Sequence, residues 1–203
     1  MIEVRGLACE RGTATLFSAL DFALHPGKVL LVRGANGSGK TSLLRILAGL
    51  SAPREGKLFW RGESVAPLAL SLRSRTLYLG HTAPLKDDLT VSENLSYALR
   101  LDACAVNAQR CSETLHAVGL GARQRLPARQ LSQGQRRRIG IARMMLATRT
   151  LWLLDEPTTA LDTQGVELFK SVLKAHLAGN GLAVVTTHQV LDFGPAVQEL
   201  TLQ

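Results

Sequence analysis

The sequence predicts an α/β protein whose core is a mostly parallel sheet covered by helices. Short apolar runs alternate with helical stretches, at residues 29–33 then 41–49, at 151–155 then 161–177, and at 183–187. This order is typical of βα units, in which a helix connects neighbouring parallel strands. At 203 residues and 46% hydrophobic content, the chain can build one ordinary core, so we expect a single domain.

Two regions depart from the βα pattern. Residues 2–22 and 57–60 are β-rich without intervening helices, so we expect a small antiparallel β layer beside the parallel sheet. Strand signals disappear between residues 81 and 145, where amphipathic runs indicate a helical subdomain. The predicted single domain, 1–203, therefore has a sheet core over about 1–80 and 146–203 and a helical subdomain over 81–145.

Composition limits the location of the protein. No apolar run approaches the roughly 18 residues of a membrane-spanning helix, and residues 1–11 carry charges where a signal peptide has its apolar core. We therefore expect a cytosolic protein or a peripheral one on a cytosolic membrane face. Cys9, Cys104 and Cys111 include no CxxC pair, which predicts reduced thiols that are mostly buried.

The charge is strongly basic. A formal net charge of +8 and a pI of about 10.0 suggest a nucleic-acid partner. However, Lys and Arg are scattered, and only two Tyr and two Trp are available to stack on bases. We favour attraction to an anionic membrane surface, or a contribution to solubility, and we expect no nucleic-acid partner.

Residues 34–41 match the pattern G-x-x-x-x-G-K-[ST], after a predicted strand and before a predicted helix. Glycines in this position let backbone N–H groups point at phosphate oxygens, and the positive end of the helix dipole adds attraction. We expect Lys40 to reach the β- and γ-phosphates and the Thr41 hydroxyl to ligate Mg²⁺. The pattern predicts a P-loop NTPase fold that binds ATP and Mg²⁺ through Gly34, Ala35, Asn36, Gly37, Ser38, Gly39, Lys40 and Thr41.

Polar residues follow two predicted strands. The apolar run 151–154 leads to Asp155 and Glu156, and the run 183–185 is followed by Thr186, Thr187 and His188. Ligands of open α/β sheets bind at the carboxyl ends of the strands. We expect Asp155 to hold Mg²⁺ through water and Glu156 to polarise the water that attacks the γ-phosphate. His188 is predicted to contact the γ-phosphate or to orient Glu156.

Residues 131–135, Leu-Ser-Gln-Gly-Gln, lie between the phosphate loop and Asp155 and precede a predicted helix that ends near Met145. They resemble the signature motif of ABC-type ATPases. With Leu161-Asp162 and His188, the order of motifs matches that family over essentially the whole chain. The resemblance implies that Ser132, Gly134 and Gln135 complete the ATP site of an opposite subunit, in a head-to-tail homodimer formed on ATP binding. It also implies a separate membrane-spanning subunit.

Three features of the sequence depart from the common family pattern or extend it. His81 stands where many members of the family have a Gln; because an imidazole cannot mimic both halves of an amide, the metal contact and subunit coupling that the resemblance implies carry over less directly to His81. Arg11 lies where an aromatic residue often stacks on adenine; it either stacks as a guanidinium plane or is an exposed turn residue. The basic run 136–138 is interpreted as a solvated helix face.

The residues 10–12, 80–81, 85–90 and 93–95 resemble one branch of the family, the haem-exporter ATP-binding subunits of bacterial cytochrome c maturation. That resemblance implies an ATPase of the translocase type, peripheral on the cytoplasmic face of the inner membrane. It does not imply haem binding by this chain, which has no CxxCH motif. The alternatives are an ATP-binding subunit for another exported substrate or a non-transport ATP-driven factor on nucleic acid. A switch that binds ATP without turnover is disfavoured, because both Glu156 and His188 are present.

The same resemblance indicates where a membrane partner docks. Residues 85–95 would lie at the junction of the sheet core and the helical subdomain, where the family contacts its membrane subunit. We expect Pro84 and Leu85, beside Lys86, to form part of that contact.

Overall fold

The computed structural model describes residues 1–82, 84–105, 107–188 and 192–202. It divides into two compact units. Unit 1 comprises Met1–Gly80, Arg149–Pro157 and His176–Gln203, and unit 2 comprises His81–Thr148 and Thr158–Ala175. Residues 158–175 thus belong to the same unit as the helical segment, whereas the sequence predicted them as part of the sheet core. The amphipathic pattern of this stretch does not indicate which unit it joins. Among the described residues, no helix is long and apolar enough to cross a membrane.

Unit 1 contains the sheets. Its strands are β1 (Ile2–Arg11), β2 (Ala14–Leu24), β3 (Val29–Gly34), β4 (Glu55–Trp60), β5 (Glu63–Val65), β6 (Thr76–Leu79), β7 (Leu151–Asp155), β8 (Leu182–Thr186) and β9 (Val197–Leu202). Its helices are α1 (Lys40–Leu47) and the short α2 (Leu70–Arg73). Unit 2 contains α3 (Val91–Leu101), α4 (Ala108–Ala117) and α5 (Gln133–Leu146), while α6 (Thr163–Ala178) has residues in both units.

The larger sheet is parallel, with the strand order β6-β7-β8-β3-β9. Strands β7 and β8 are buried along their whole length, as expected for central parallel strands covered on both faces. A second sheet, in the order β2-β1-β4-β5, is antiparallel. Both sheets and the helical segment are present, so the predicted α/β fold class is confirmed.

The core of unit 1 lies between the two sheets and α1. The apolar residues of α1, Leu43, Leu44, Ile46 and Leu47, are fully buried and join one cluster with β1, β3, β7 and β8. Each such side chain stabilises the fold by about 1.5–3 kcal/mol relative to exposure. This packing holds the amino end of α1 at the carboxyl end of β3, where the phosphate loop connects them.

In unit 2, hydrogen bonds tie the loop before α3 to the helix. Thr90 caps α3 in a capping box with Glu93. The buried amide of Asn94 donates to the carbonyl oxygens of Lys86, Leu89 and Thr90 and accepts from the Lys86 N–H. The conformation of residues 86–90 is therefore set by a side chain on α3.

Strand β9 was not predicted, because its sequence, VQELTL, lacks a continuous apolar run. The strand lies at the edge of the parallel sheet and pairs with β3. An edge strand is half-exposed, so it does not need the apolar composition of a central strand.

His176 is stacked on Trp152 in unit 1, with ring centroids 3.7 Å apart and an interplanar angle of 5°. Burial lowers the pKa of His176 below its ordinary value of 6.5, and hydrogen bonds to the backbone of Leu182 and Thr150 oppose that shift in part. The unfolded chain therefore takes up a proton more readily than the folded one. The contribution of neutral His176 to the free energy of unfolding is complete above pH 6.5, and it is lost as the pH falls from there through the lowered pKa.

We expect the free energy of unfolding to decrease on acidification through this window, and His176→Phe to weaken that decrease while keeping an aromatic ring on Trp152. Urea unfolding at several pH values between 5 and 8 measures the effect. The exposed His25 provides the control, His25→Gln, which should leave the pH dependence unchanged. An unchanged slope in His176→Phe would contradict the assignment.

Candidate functional site

The phosphate loop joins β3 to α1 and needs glycine at its first position. A Cβ atom on Gly34 would lie 2.5 Å from Ser38 Oγ and 2.6 Å from the carbonyl oxygen of Leu202. Any other residue would push the loop away from β9. The loop can therefore curl tightly only with glycine at this position.

Lys40 is nearly buried, at 8% exposure, at the start of α1. Its Nζ donates to the carbonyl oxygens of Gly34 (2.7 Å) and Ala35 (2.9 Å). The Ser38 hydroxyl is buried and makes no hydrogen bond within the described residues. An ammonium group and an unsatisfied hydroxyl beside a helix N-terminus fit phosphate oxygens, which accept hydrogen bonds from both.

Asp155 accepts hydrogen bonds from two hydroxyl groups, one at the start of α1 and one at the end of β8. Thr41 Oγ1 donates to Asp155 Oδ2 at 2.8 Å, and Thr186 Oγ1 donates to Asp155 Oδ1 at 2.7 Å. Asp155 is 2% exposed. The two residues predicted to hold Mg²⁺, Thr41 and Asp155, are therefore brought into direct contact. A carboxylate beside a hydroxyl is a donor set that suits this hard cation.

Glu156 follows Asp155 in a left-handed backbone conformation, with φ of 49°. Such a conformation is uncommon for a residue other than glycine and is often found at functional sites. Its N–H donates to the carbonyl oxygen (3.2 Å) and to Oγ1 (3.0 Å) of Thr186, which hold the turn in place.

His188 lies beside Glu156. His188 Nε2 is 3.3 Å from Glu156 Oε1, and the side chains are 54% and 15% exposed respectively. The pair thus consists of a largely shielded carboxylate and an imidazole that is open to solvent. Such an arrangement lets the imidazole orient the carboxylate or accept a hydrogen bond from a bound group.

Two further residues belong to this site and were not assigned from the sequence. Thr186 contacts both Asp155 and Glu156, and its position at the end of β8, two residues before His188, was the available signal. Tyr78, in β6, also lies in the electrostatic field of Asp155. Burial raises the pKa of Tyr78, and the Asp155 charge raises it further, whereas Arg45 lowers it.

The signature residues form a separate cluster in unit 2. Ser132 caps α5, accepting from the Gln135 N–H, while the Gln135 side chain accepts from the Ser132 N–H. A Cβ on Gly134 would lie 2.6 Å from the carbonyl oxygen of Ala160, so glycine is required by close approach. These three residues line a cavity of about 570 Å³ with Arg138, Asp162 and Gln164.

Asp162, part of the predicted Leu161-Asp162 motif, is held in place at this cavity. A hydrogen bond from the Gly165 N–H, and then one from Arg138, lower the pKa of Asp162. The carboxylate therefore stays ionised and fixes Arg138 beside the signature residues.

The basic run was expected to be a solvated helix face, and its side chains are less freely solvated than that interpretation implies. Each of the three side chains is partly buried and bonded within unit 2. Arg136 pairs with Asp87, Arg137 donates to the carbonyl oxygen of His81, and Arg138 bonds Asp162. The sequence pattern shows where the charged residues lie, but it does not show which residues they pair with.

The structure shows where two other predicted site residues lie, but their contacts define no role for them. His81 is exposed in unit 2, and its carbonyl oxygen accepts the bond from Arg137. Arg11 is exposed at the end of β1, where it pairs with Ala14. The coupling role of His81 and the adenine stacking by Arg11 stay predictions.

Comparison with solved structures shows the same fold. The chain is similar to an ABC transporter ATP-binding protein from Pyrococcus furiosus, with a TM-score of 0.84 and 21% identity over 98% of this chain and 96% of that one. It is also similar to a dimeric ATP-binding cassette in a post-hydrolysis state, bound to ADP and phosphate. That match has a TM-score of 0.80 and 25% identity over 93% of this chain and 88% of the other.

Sequence comparison gives nearer relatives. The cytochrome c biogenesis ATP-binding export protein CcmA of Nitrosomonas europaea is 47% identical over 94% of this chain and 90% of its own length. The protein of the same name from Dechloromonas aromatica is 42% identical over the full length of both. The family model for ABC transporters matches residues 17–159. Since that model covers most of the chain and these relatives match nearly all of it, the chain belongs to the ABC transporter family.

Proposed function

We propose that this chain is the ATP-binding and ATP-hydrolysing subunit of an ABC transporter complex for cytochrome c biogenesis. The observation that carries the proposal is the 2.8 Å bond between Thr41 and Asp155, which joins the phosphate loop to the acidic strand end. The relatives named as cytochrome c biogenesis ATP-binding export proteins support the choice of transport system.

Residues 34–41 bind the phosphates of ATP in this proposal. Their backbone N–H groups and the amino end of α1 surround the β-phosphate, and Lys40 Nζ leaves its loop carbonyls for the β- and γ-phosphates. A phosphate oxygen of ATP gives Ser38 Oγ the hydrogen-bond partner that it lacks within the described residues.

Thr41 would hold Mg²⁺ directly and Asp155 would hold it through water. When bound, the ion would supply positive charge that offsets the negative charge of the ATP phosphates. Thr186 keeps the second oxygen of Asp155 in position through its 2.7 Å bond.

Glu156 acts as the general base that accepts a proton from the attacking water, and His188 orients Glu156 or donates to the γ-phosphate. The limited exposure of Glu156 reduces competing solvation of the carboxylate. Thr186 positions the Glu156 backbone through two hydrogen bonds.

The signature residues Ser132, Gly134 and Gln135 complete the ATP site of a second copy, in a head-to-tail dimer. The hydroxyl and the backbone N–H groups at the start of α5 provide donors for the γ-phosphate of the ATP that the other copy holds. The dimeric ATP-binding cassette among the similar structures supports this assembly.

The dimer docks on a membrane-spanning subunit at the cytoplasmic face of the bacterial inner membrane, and ATP turnover supports haem export for cytochrome c maturation. Pro84 and Lys86 are exposed, and Leu85 is half-buried, in the segment expected to contact that subunit. We expect the chain itself to bind neither haem nor nucleic acid.

The test is Mg²⁺-dependent ATP hydrolysis by the purified chain, alone and reconstituted in lipid nanodiscs with candidate membrane subunits. We expect the cytochrome-maturation subunit to raise the rate and unrelated exporter subunits to leave it unchanged. Lys86→Glu should reduce recruitment to that subunit, whereas charge reversal at the exposed Lys174 should not. A rate that no membrane subunit changes would contradict the transport assignment.

A further inference from the structure

A second cavity in unit 2 has no role in the scheme above. Its volume is about 330 Å³. Ala160 and six polar residues line it: His81, Thr82, Gln133, Arg136, Arg137 and Thr159. Arg136 and Arg137 line this cavity but not the signature cavity, which Arg138 lines instead. Gln133 and Ala160 line both cavities, so the two share part of their lining and differ in the arginines that they contain.

The lining is rich in hydrogen-bond donors. It combines two guanidinium groups, two threonine hydroxyls, a glutamine amide and an imidazole, and none of the described residues that line it is acidic. Arg136 also pairs with Asp87 at 2.7 Å, and Arg137 donates to the His81 carbonyl oxygen at 2.8 Å. These contacts hold both guanidinium groups at the cavity wall, which lowers the entropy lost when they bind a ligand.

The helix adds to the electrostatic attraction. Gln133 begins α5, a helix of 14 residues, so the positive end of its dipole lies at the same wall. Two arginines and a helix N-terminus together favour a compact ligand with several acceptor oxygens and negative charge, since arginine recognises such groups by paired N–H donors.

The volume of the cavity limits the ligand. A water molecule takes about 30 Å³ of liquid, and ligand pockets range from about 300 to 1,000 Å³. The cavity therefore has room for a phosphate ion with some of its water, but it is at the lower limit for a nucleotide. Thr159, in its lining, follows the proposed catalytic residue Glu156 by three positions in the sequence.

We propose that this cavity is a second oxyanion site, which binds inorganic phosphate through Arg136 and Arg137. The source of the phosphate rests on the proposed function: it is the phosphate that ATP hydrolysis releases. Binding there holds the product on the helical unit, near the start of α5, after it has left the phosphate loop.

Titration calorimetry of inorganic phosphate into the nucleotide-free full-length chain tests the site without ATP hydrolysis. We expect saturable binding that Arg137→Gln and Arg136→Gln each weaken at least about tenfold, since a charge-assisted hydrogen bond is lost. The matched control is Arg123→Gln, a charge change at an exposed arginine of unit 2 that lines neither cavity. Melting temperatures within a few degrees of the parent show that the variants are folded.

Two outcomes would overturn the inference. One is phosphate binding that Ser132→Ala abolishes and both arginine variants leave intact, which would place the ion in the signature cavity. The other is binding only to vesicles that contain phosphatidylglycerol and not to free phosphate, which would assign the arginines to a lipid headgroup. If the chain does not hydrolyse ATP but the arginines still bind phosphate, the site stands and only the proposed source of the phosphate is wrong.

A kinetic measurement gives an independent readout. Inorganic phosphate should inhibit ATP turnover, and Arg137→Lys should retain more of that inhibition than Arg137→Gln because it keeps the charge. Equal inhibition of the parent, Arg136→Gln and Arg137→Gln would contradict the site even where ATP hydrolysis itself is established.

Discussion

Glu156→Gln is expected to lower the kcat for ATP hydrolysis by at least about 100-fold while the chain still binds MgATP, because loss of a general base costs 10²–10⁴ in rate. Gln has the shape of Glu and can occupy the same left-handed turn, but it cannot accept a proton from water. The contact with His188 at 3.3 Å can persist through the amide oxygen. Steady-state kcat and the binding of a fluorescent ATP analogue measure the two effects separately.

The control for this variant is Glu167→Gln. Glu167 is an exposed carboxylate on α6 that pairs with Lys170, so its replacement should leave kcat unchanged. A second readout is the oligomeric state: a chain that binds ATP but does not hydrolyse it should accumulate as a dimer in gel filtration with ATP. Turnover by Glu156→Gln at the rate of the parent would rule out Glu156 as the base.

Lys40→Met is expected to weaken MgATP binding by roughly 10²- to 10⁴-fold, since two charge-assisted hydrogen bonds to phosphate are worth about 1.5–3 kcal/mol each. Met preserves most of the buried apolar stem of Lys40, which is only 8% exposed, so the packing of α1 is retained. Titration calorimetry with a non-hydrolysable ATP analogue and Mg²⁺ measures the dissociation constant.

Lys57→Met, at an exposed position of β4, is the matched control and should bind ATP as the parent does. The two variants together separate loss of the phosphate contact from a general effect of removing positive charge from a basic chain. Tight MgATP binding by Lys40→Met would mean that backbone N–H groups alone hold the phosphates, and Lys40 would then have to act during turnover.

Several parts of the molecule could be predicted because their chemistry is local in sequence. The phosphate loop is one contiguous run whose glycines, lysine and threonine have fixed spacing. The central strands β7 and β8 are continuous apolar runs because both of their faces are buried. Helix α3 lies within the segment that is predicted to be helical, since its apolar residues recur at helical spacing.

Other parts could not be predicted, because they depend on residues that are distant in sequence. Thr41 and Asp155 are 114 positions apart, and Thr186 is 31 positions beyond Asp155, yet one hydrogen-bonded chain joins them. No periodicity marks Thr186 as the partner of both acids. The same limit applies to the arginines of α5, whose charges are visible in the sequence while their partners are not.

The sequence by itself determined the nucleotide chemistry of this protein, because phosphate recognition uses backbone N–H groups that a short glycine-rich run presents whatever surrounds it. It also determined the parallel sheet, because burial on both faces requires apolar strands. Only the tertiary structure decided how the acidic strand end is held, that residues 158–175 group with the helical unit, and that Arg136 and Arg137 face a cavity. Those features arise from packing and hydrogen bonds between distant segments, whose pairing is set by the folded chain as a whole.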